Sequence, residues 1–505
     1  MRQFFFIILA VIFLQELTAQ KINWSPELSI RGKAKMKRLL KLDSSSFSAV
    51  LAHYKAFGDP DAYIQDFSLP EMNFGGEQMI QTNNQNLESL VELGNQVYAL
   101  FINTDTEKNQ IIANARLARN SAAKLTSIGS IDYKKSNHKG TFDFVESQDY
   151  SKLLVIESPP YEKYNMEKFR LTMYNDSLKQ LWTTEIKLPY LDQEFKIIGK
   201  QVDENGNVFL LTTYNNVLSK QNKNRGAMIK NYTVLVYNNR KNKLKEFDIQ
   251  LKDKWVNGLN MSFKKDGNLM VGGFYNDTKE GASSGTICMT IDKDSIVIKN
   301  KSLNPFSDGF TNQFVSGRQQ SKKMDLKDFH FDYFVNGHDG SMYMTAEQYF
   351  VRTSSYFDQR TGVTNYTYYY HYNDIIVVKI DSDGKELWTK KIAKKQVTSN
   401  DNGDYSGYVV VPNKNGISVI YNDNLKNFEE NEAEEIRTMN NPQRSITAMV
   451  NINTSGEITK NLLFDTEEQE TIILPKIGKY INNQLFILFT KKSRVFRFAS
   501  VVLEH

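Results

Sequence analysis

Along most of the chain, apolar residues come in short runs separated by Asn, Asp and Gly. Some runs alternate apolar with polar, and others are continuous over a few positions. Both patterns predict strands, half-buried in the first case and buried on both faces in the second. Helical periodicity over three turns is scarce; NQIIANARLARNSAA, Asn109 to Ala123, is the stretch that predicts a short helix.

The strands repeat. A turn pair, usually ending in Gly, precedes an apolar strand in LGNQVYALFINTD, ENGNVFLLTTYNN, KDGNLMVGGFYND, HDGSMYMTAEQYF and KNGISVIYNDN, with weaker copies in SKLLVIES and INNQLFILFTK. The first apolar residues are Val97, Leu153, Val208, Leu269, Met342, Ile417 and Leu485, spaced 56, 55, 61, 73, 75 and 68 apart. FSAVLAHYKAF, around Ala49, is an eighth candidate. A second element recurs between these marks: FRLTMYNDSLKQLWTTEI matches IIVVKIDSDGKELWTKKI, and YTVLVYNNRKNKLKEFDI and ITAMVNINTSGEITKNLL are looser copies. Four strands in about 60 residues make a propeller blade, a sheet that buries both faces only between neighbours in a ring. The fold class is therefore all-β, a β-propeller of seven or eight four-stranded blades. SRVFRFASVVLEH reads as a first strand without later partners, and the region before Val97 as strands lacking a first strand. Joining the two termini in one blade would remove the open edges.

The segment VVKIDSDGKELWTKKI resembles the repeat of the quinoprotein-type β-propeller family through Asp381, Gly384 and Trp388. Its copy matches at Asn175 and Trp182 but lacks the turn Gly. The resemblance implies the blade and no activity; tryptophans at that position pack between blades. Quinone-dependent relatives typically use a vicinal disulfide and a bound Ca²⁺. Cys288 is the only cysteine, and no acidic cluster is assignable to calcium, so no cofactor is expected. Propellers of this type also act as scaffolds in bacterial envelope assembly machines. The tyrosine-rich run before NDIIVVKI also resembles exported propellers of Bacteroidetes-type bacteria.

Composition narrows the function. With 63 basic and 58 acidic residues the net charge is +5, and no concentrated basic stripe argues for nucleic acid. The basic stretches Lys220–Lys230 and Arg318–Lys327, and the acidic run Glu429 to Glu435, read as solvated loops. The N-terminal MRQFFFIILAVIFLQELTAQ has the form of a secretory signal peptide, with cleavage expected after Ala19 and residues 20–505 forming one propeller domain. No second apolar run of about 20 residues follows, so no transmembrane segment is expected after cleavage. The lone cysteine excludes an internal disulfide, and Cys288 reads as a buried thiol.

Motifs of chemistry are weak. GASSG, centred on Ser283, precedes a strand where a hydrolase elbow needs a helix. His330 and Asp332 share a strand face opposite Phe329, Phe331 and Tyr333, but His338 lies beyond a turn and no third ligand converges. The Asp203–Gly206 and Asp381–Gly384 stretches are what tight turns demand. No catalytic or metal residues are assigned.

One insertion stands out. At about 346–374, AEQYFVRTSSYFDQ and VTNYTYYYHYND flank a Gly-containing turn, a hairpin signal. Tyr366, Tyr368, Tyr370 and Tyr372 fall on one face. Tyrosine combines a flat apolar body with a polar tip, which suits partner or glycan contact. Tyr349, Tyr356 and these four are the candidate binding residues, with Glu347 at the hairpin base; Trp182, Asp381, Gly384 and Trp388 are the structural blade residues. The expectation is a non-enzymatic exported scaffold in the periplasm or at the outer membrane or cell surface, with a protein partner in the cell envelope. The alternative is a glycan-binding protein or enzyme using the central funnel.

Overall fold

The computed structural model describes residues 21–29, 33–41, 43–54, 61–83, 85–215, 230–278, 282–314, 326–429, 436–482 and 485–503. The signal-peptide reading, most of both basic stretches, most of the acidic run and Gly281 lie outside them.

The described residues form eight antiparallel sheets of the propeller kind. Blades 1 to 7 are residues 33–80, 87–132, 141–191, 195–249, 255–305, 329–392 and 409–465, each four sequential strands. Blade 8 is composite. Ile472–Asn482, Leu485–Lys492 and Val495–Val502 come from the C-terminal end, and Ile22–Trp24 adds the outermost strand, in register Ile22 to Val501 and Trp24 to Ala499. First strands line the inside: Trp255–Phe263 lies beside Phe329–Asn336, and Lys33–Lys41 beside Ile472–Asn482, which closes the ring.

Eight apolar clusters hold it together, one between each pair of neighbouring blades. In blade 3, Leu153 and Val155 pack toward blade 2, while Leu154 and Ile156 pack toward blade 4. That is why second strands carry apolar residues at successive positions: Leu269–Asn276 is buried throughout. Fourth strands, on the rim, alternate; Ile298–Pro305 is exposed at every other residue. Each repeat mark, Ala49 included, lies in a second strand, so the blade count is eight.

Three expectations need correction. Residues 109–123 are not helical; Gln110–Leu117 is the third strand of blade 2, and its burial alternates with a period near two. Within SRVFRFASVVLEH, Val495–Val502 is the third strand of blade 8 and has partners on both sides. The region before Val97 does contain first strands, Lys33–Lys41 and Leu87–Leu93. In both terminal cases a strand's rank in its blade depends on pairing, which the apolar run itself does not carry.

Between first and second strands, and between third and fourth, most turns are tight and capped by their own polar side chains. The Asp203 carboxylate accepts from the Asn205 and Asn207 amides at 2.9 and 2.8 Å, and Asp381 from Asp383 and Lys385, both at 2.9 Å. The described parts of the long connections, among them 305–314, 392–409, 423–429 and 436–446, lie with the hairpin of blade 6 at the opposite end of the blades. Among the described residues, one face of the ring is smooth and the other decorated.

Candidate functional site

The decorated face is dominated by the hairpin. The second and third strands of blade 6, Met342–Asp358 and Val363–Ile380, run far past their sheet. Within the blade their side chains are buried; beyond Glu347 the pairing slips at Gln348 and continues from Tyr349 opposite Tyr372 to Asp358 opposite Val363. The register puts Tyr349, Val351, Thr353, Ser355 and Phe357 on one face with Tyr366, Tyr368, Tyr370 and Tyr372. Phe350, Arg352 and Tyr356 share the other with His371 and Tyr369. Tyr356 therefore sits opposite the other candidate tyrosines.

Exposure rises along the hairpin. Tyr372 is buried at the base, its ring 4.5 Å from that of Tyr349. Tyr370 is half-buried, its hydroxyl donating to Asn402 Oδ1 at 3.2 Å. Tyr368 and Tyr369 are exposed, Tyr366 is 57% exposed and Tyr356 70%. Phe357 and Val363 at the tip are exposed as well.

A polar knot holds the base. Glu347 Oε1 lies 2.6 Å from Lys394 Nζ, and both side chains are almost wholly buried. The same ammonium donates to the Tyr372 carbonyl at 3.0 Å and to Gln396 Oε1 at 2.9 Å. Gln396 also accepts from the Gly407 amide at 2.8 Å and donates to the Asn422 carbonyl at 2.6 Å in blade 7. Burial pushes the Glu347 carboxyl up and the Lys394 ammonium down, and their mutual attraction opposes both shifts. Gln396–Ser399 adds a short strand along Tyr369–Tyr372 and is itself backed by Met439. On blade 8, Lys476 Nζ donates to the Tyr372 hydroxyl at 2.8 Å. Three blades thus meet at the hairpin base.

Asp332 lies near this knot. It is the extra residue of a bulge between Phe331 and Tyr333, which breaks the simple alternation expected there. The residue has an exposed side, yet burial of its carboxyl, with repulsion from Glu347, pushes it up to about 7. His330 and His338 sit near opposite ends of the first strand of blade 6 and do not meet; the His330 ring lies 5.7 Å from that of Tyr349. Among the described residues, no three His, Cys, Asp or Glu side chains gather as a metal-holding group.

The other sequence-marked residues lie in the blades. The Trp182 ring packs tilted against that of Tyr237 of blade 4, centroids 5.0 Å apart, and Trp388 Nε1 donates to the Thr454 carbonyl of blade 7 at 3.1 Å. Gly384 has φ +83°, and a Cβ there would stand 2.7 Å from Cys288 Cβ, so that turn demands glycine. Cys288 is buried, and burial pushes its thiol far up. Ser283 opens a strand, Ser283–Ile291, and is buried.

A second feature of the same face was not visible in the sequence. A cleft of about 1030 Å³ lies over blade 3, between the ends of blades 2 and 4. Its lining mixes Lys134, Lys168 and Arg170 with Glu157, Glu167 and Asp192. Burial, and then the neighbouring Asp192 carboxylate, push Glu167 up to about 8. Asp192 in turn accepts from the Glu162 amide at 2.7 Å. These carboxyls stand 25 positions apart in the chain, and neither belongs to a recognisable motif.

No protein-family model matches the sequence, and no match to a curated protein is found. Solved structures with a similar chain path include the WD40 domain of SCAP from fission yeast, at 10% identity over 96% of this chain and 95% of that one, with TM-score 0.39. The β-propeller domain of the Trilobed protease from Pyrococcus furiosus is 11% identical over 72% of this chain and 96% of that one, with TM-score 0.36. Polysaccharide lyase Uly1 is 8% identical over 93% of this chain and all of that one, with TM-score 0.38.

Proposed function

We propose that this β-propeller is a non-enzymatic, exported interaction scaffold that docks a protein partner in the bacterial cell envelope through its decorated face. In this reading the quinoprotein-type repeat supplies the ring and no cofactor chemistry. The observation that carries it is the hairpin, whose aromatic tip stands in solvent while its base is locked by a buried ion pair and contacts from three blades. A flexible loop would lose conformational entropy on binding; a rigid arm bearing Tyr356, Tyr366 and Phe357 loses little. Export rests on the N-terminal signal-like segment.

The test is recovery of partners from native envelope extract by the tagged full chain, beside a variant in which residues 351–370 are replaced by Asn-Gly, a two-residue turn suited to joining the hydrogen-bonded pair Phe350 and His371. The scaffold reading expects partners with the full chain and their loss with the shortened hairpin. Recovery of the chain alone under gentle conditions would sink it.

One observation favours a second reading, glycan binding or turnover: the cleft over blade 3 with its Glu167 and Asp192 pair. Calorimetric titration with oligosaccharides, repeated on Glu167→Gln, separates this from the scaffold.

A further inference from the structure

The hairpin has two edges, and they are treated differently. On the third-strand side, Gln396–Ser399 pairs with Tyr369–Tyr372, and Asn400 continues the cover: its amide donates to the Tyr368 carbonyl at 3.0 Å, and its Oδ1 accepts from the Tyr368 amide at 3.0 Å. On the second-strand side, cover from the first strand ends at Phe329 opposite Gln348, followed by one bond from the Tyr349 amide to the Asp328 carbonyl at 2.9 Å. Past that point no strand among the described residues pairs with the outer edge of Phe350–Phe357.

The direction of the backbone groups follows from that last bond. The Tyr349 amide points away from the hairpin partner. Successive residues of a strand alternate direction, so the N–H and C=O of Val351, Thr353, Ser355 and Phe357 point outward too. Those of Phe350, Arg352, Ser354 and Tyr356 are spent on the hairpin ladder. The segment FVRTSSYF holds no proline and no lysine, two devices that commonly guard such an edge, and is rich in residues that favour strands.

The two faces flanking the edge differ in chemistry. One carries Tyr349, Val351 and Phe357 in front of Tyr366, Tyr368 and Tyr370. The other is basic: Arg352 and Lys395 both act on His371, whose ring stacks on Phe350 at 4.5 Å. Among the described residues, Arg352 and Lys395 are both exposed and neither is ion-paired to a carboxylate.

We propose that Phe350–Phe357 receives an extended segment of a partner protein as an added β-strand, with acidic residues on the partner's Arg352-facing side and apolar or aromatic residues on its other side. Backbone bonds from Val351, Thr353, Ser355 and Phe357 hold the segment, and the two faces select it. A second copy of the same edge fits less well, because it would bring basic faces together. This rests on the scaffold reading and specifies its partner.

The test uses the full chain and blocked, fluorescent octapeptides: Glu-Val-Glu-Val-Glu-Val-Glu-Val and its lysine counterpart, followed by anisotropy. The acidic peptide should bind, and the lysine peptide should bind at least about tenfold more weakly. Thr353→Pro with Ser355→Pro removes two outward donors and leaves the inward ladder intact; it should weaken the acidic peptide about tenfold or more. A second measurement leaves the protein untouched. N-methylation of all Val amides and of all Glu amides, in separate peptides, should abolish binding in one case only, because only one edge of an added strand pairs. Equal affinity for the two charge patterns, tolerance of both methylated sets, or an unchanged proline variant would overturn the proposal. So would a wild-type dimer, seen by sedimentation, that the proline variant dissolves, since the occupant would then be a second copy. In the envelope pull-down, partners kept by the proline variant and lost with the shortened hairpin would refute strand addition and leave the scaffold reading standing.

Discussion

Replacing Lys394 by Met tests whether the buried ion pair holds the hairpin. The ammonium is completely buried, 2.6 Å from Glu347 Oε1, 3.0 Å from the Tyr372 carbonyl and 2.9 Å from Gln396 Oε1. Its removal strands a buried carboxylate and two acceptors. Breaking a buried pair from one side costs about 3–5 kcal/mol, most of it the desolvation of the orphaned charge. Glu347 can lower that cost by taking a proton. Its carboxyl is already pushed up by burial, and without Lys394 it rises further. A carboxyl whose folded pKa exceeds its unfolded value contributes stability below the unfolded pKa, and that contribution is lost as pH rises through the folded one. The variant's deficit should therefore be smallest at acid pH and grow as pH rises above the ordinary carboxylate range. Urea unfolding across these pH values measures it, with hydrogen exchange at Tyr369–Tyr372 reporting local opening. The double variant Lys394→Met with Glu347→Leu removes both charges and should recover most of the loss. A deficit under about 1 kcal/mol, a pH-independent deficit, or no recovery in the double variant would refute the view that the pair is a closed, desolvated unit.

Two further outcomes follow from the packing and the cleft. Phe498→Ala at the closing seam, where its fully buried ring meets Phe47 at 5.3 Å and Phe67 at 4.8 Å, should cost about 3–5 kcal/mol in urea unfolding. A loss comparable to that of a surface substitution would mean that blades 8 and 1 are not joined there. Glu167, raised to about 8, should make stability fall as pH climbs from about 5 through 8, and Glu167→Gln should flatten that slope; matching slopes in the two proteins would rule out a raised Glu167 carboxyl.

Much of the ring was legible in the chain because its signals are local. A second strand buried on both faces must be apolar at successive positions, and its Asn, Asp and Gly turns announce themselves, so the eight marks from Ala49 to Leu485 each fell in a second strand. The hairpin was legible for the same reason: two strand-prone runs about a glycine turn, with Tyr366 to Tyr372 alternating onto one face. Rank and burial were not local. The last run, Val495–Val502, is a third strand because Ile22–Trp24 pairs outside it. Tyr372 is buried and Tyr366 exposed, although one period places both, because only the base of the hairpin is backed by Gln396 and Lys476. Lys394 lies in a lysine-rich stretch that carries no local sign of burial, and becomes a core residue only when folding brings Glu347, 47 positions earlier, against it. Sequence by itself determined the strands, their turns and the protruding arm. Tertiary structure decided which groups are desolvated together, because that depends on neighbouring blades closing over residues far apart in the chain.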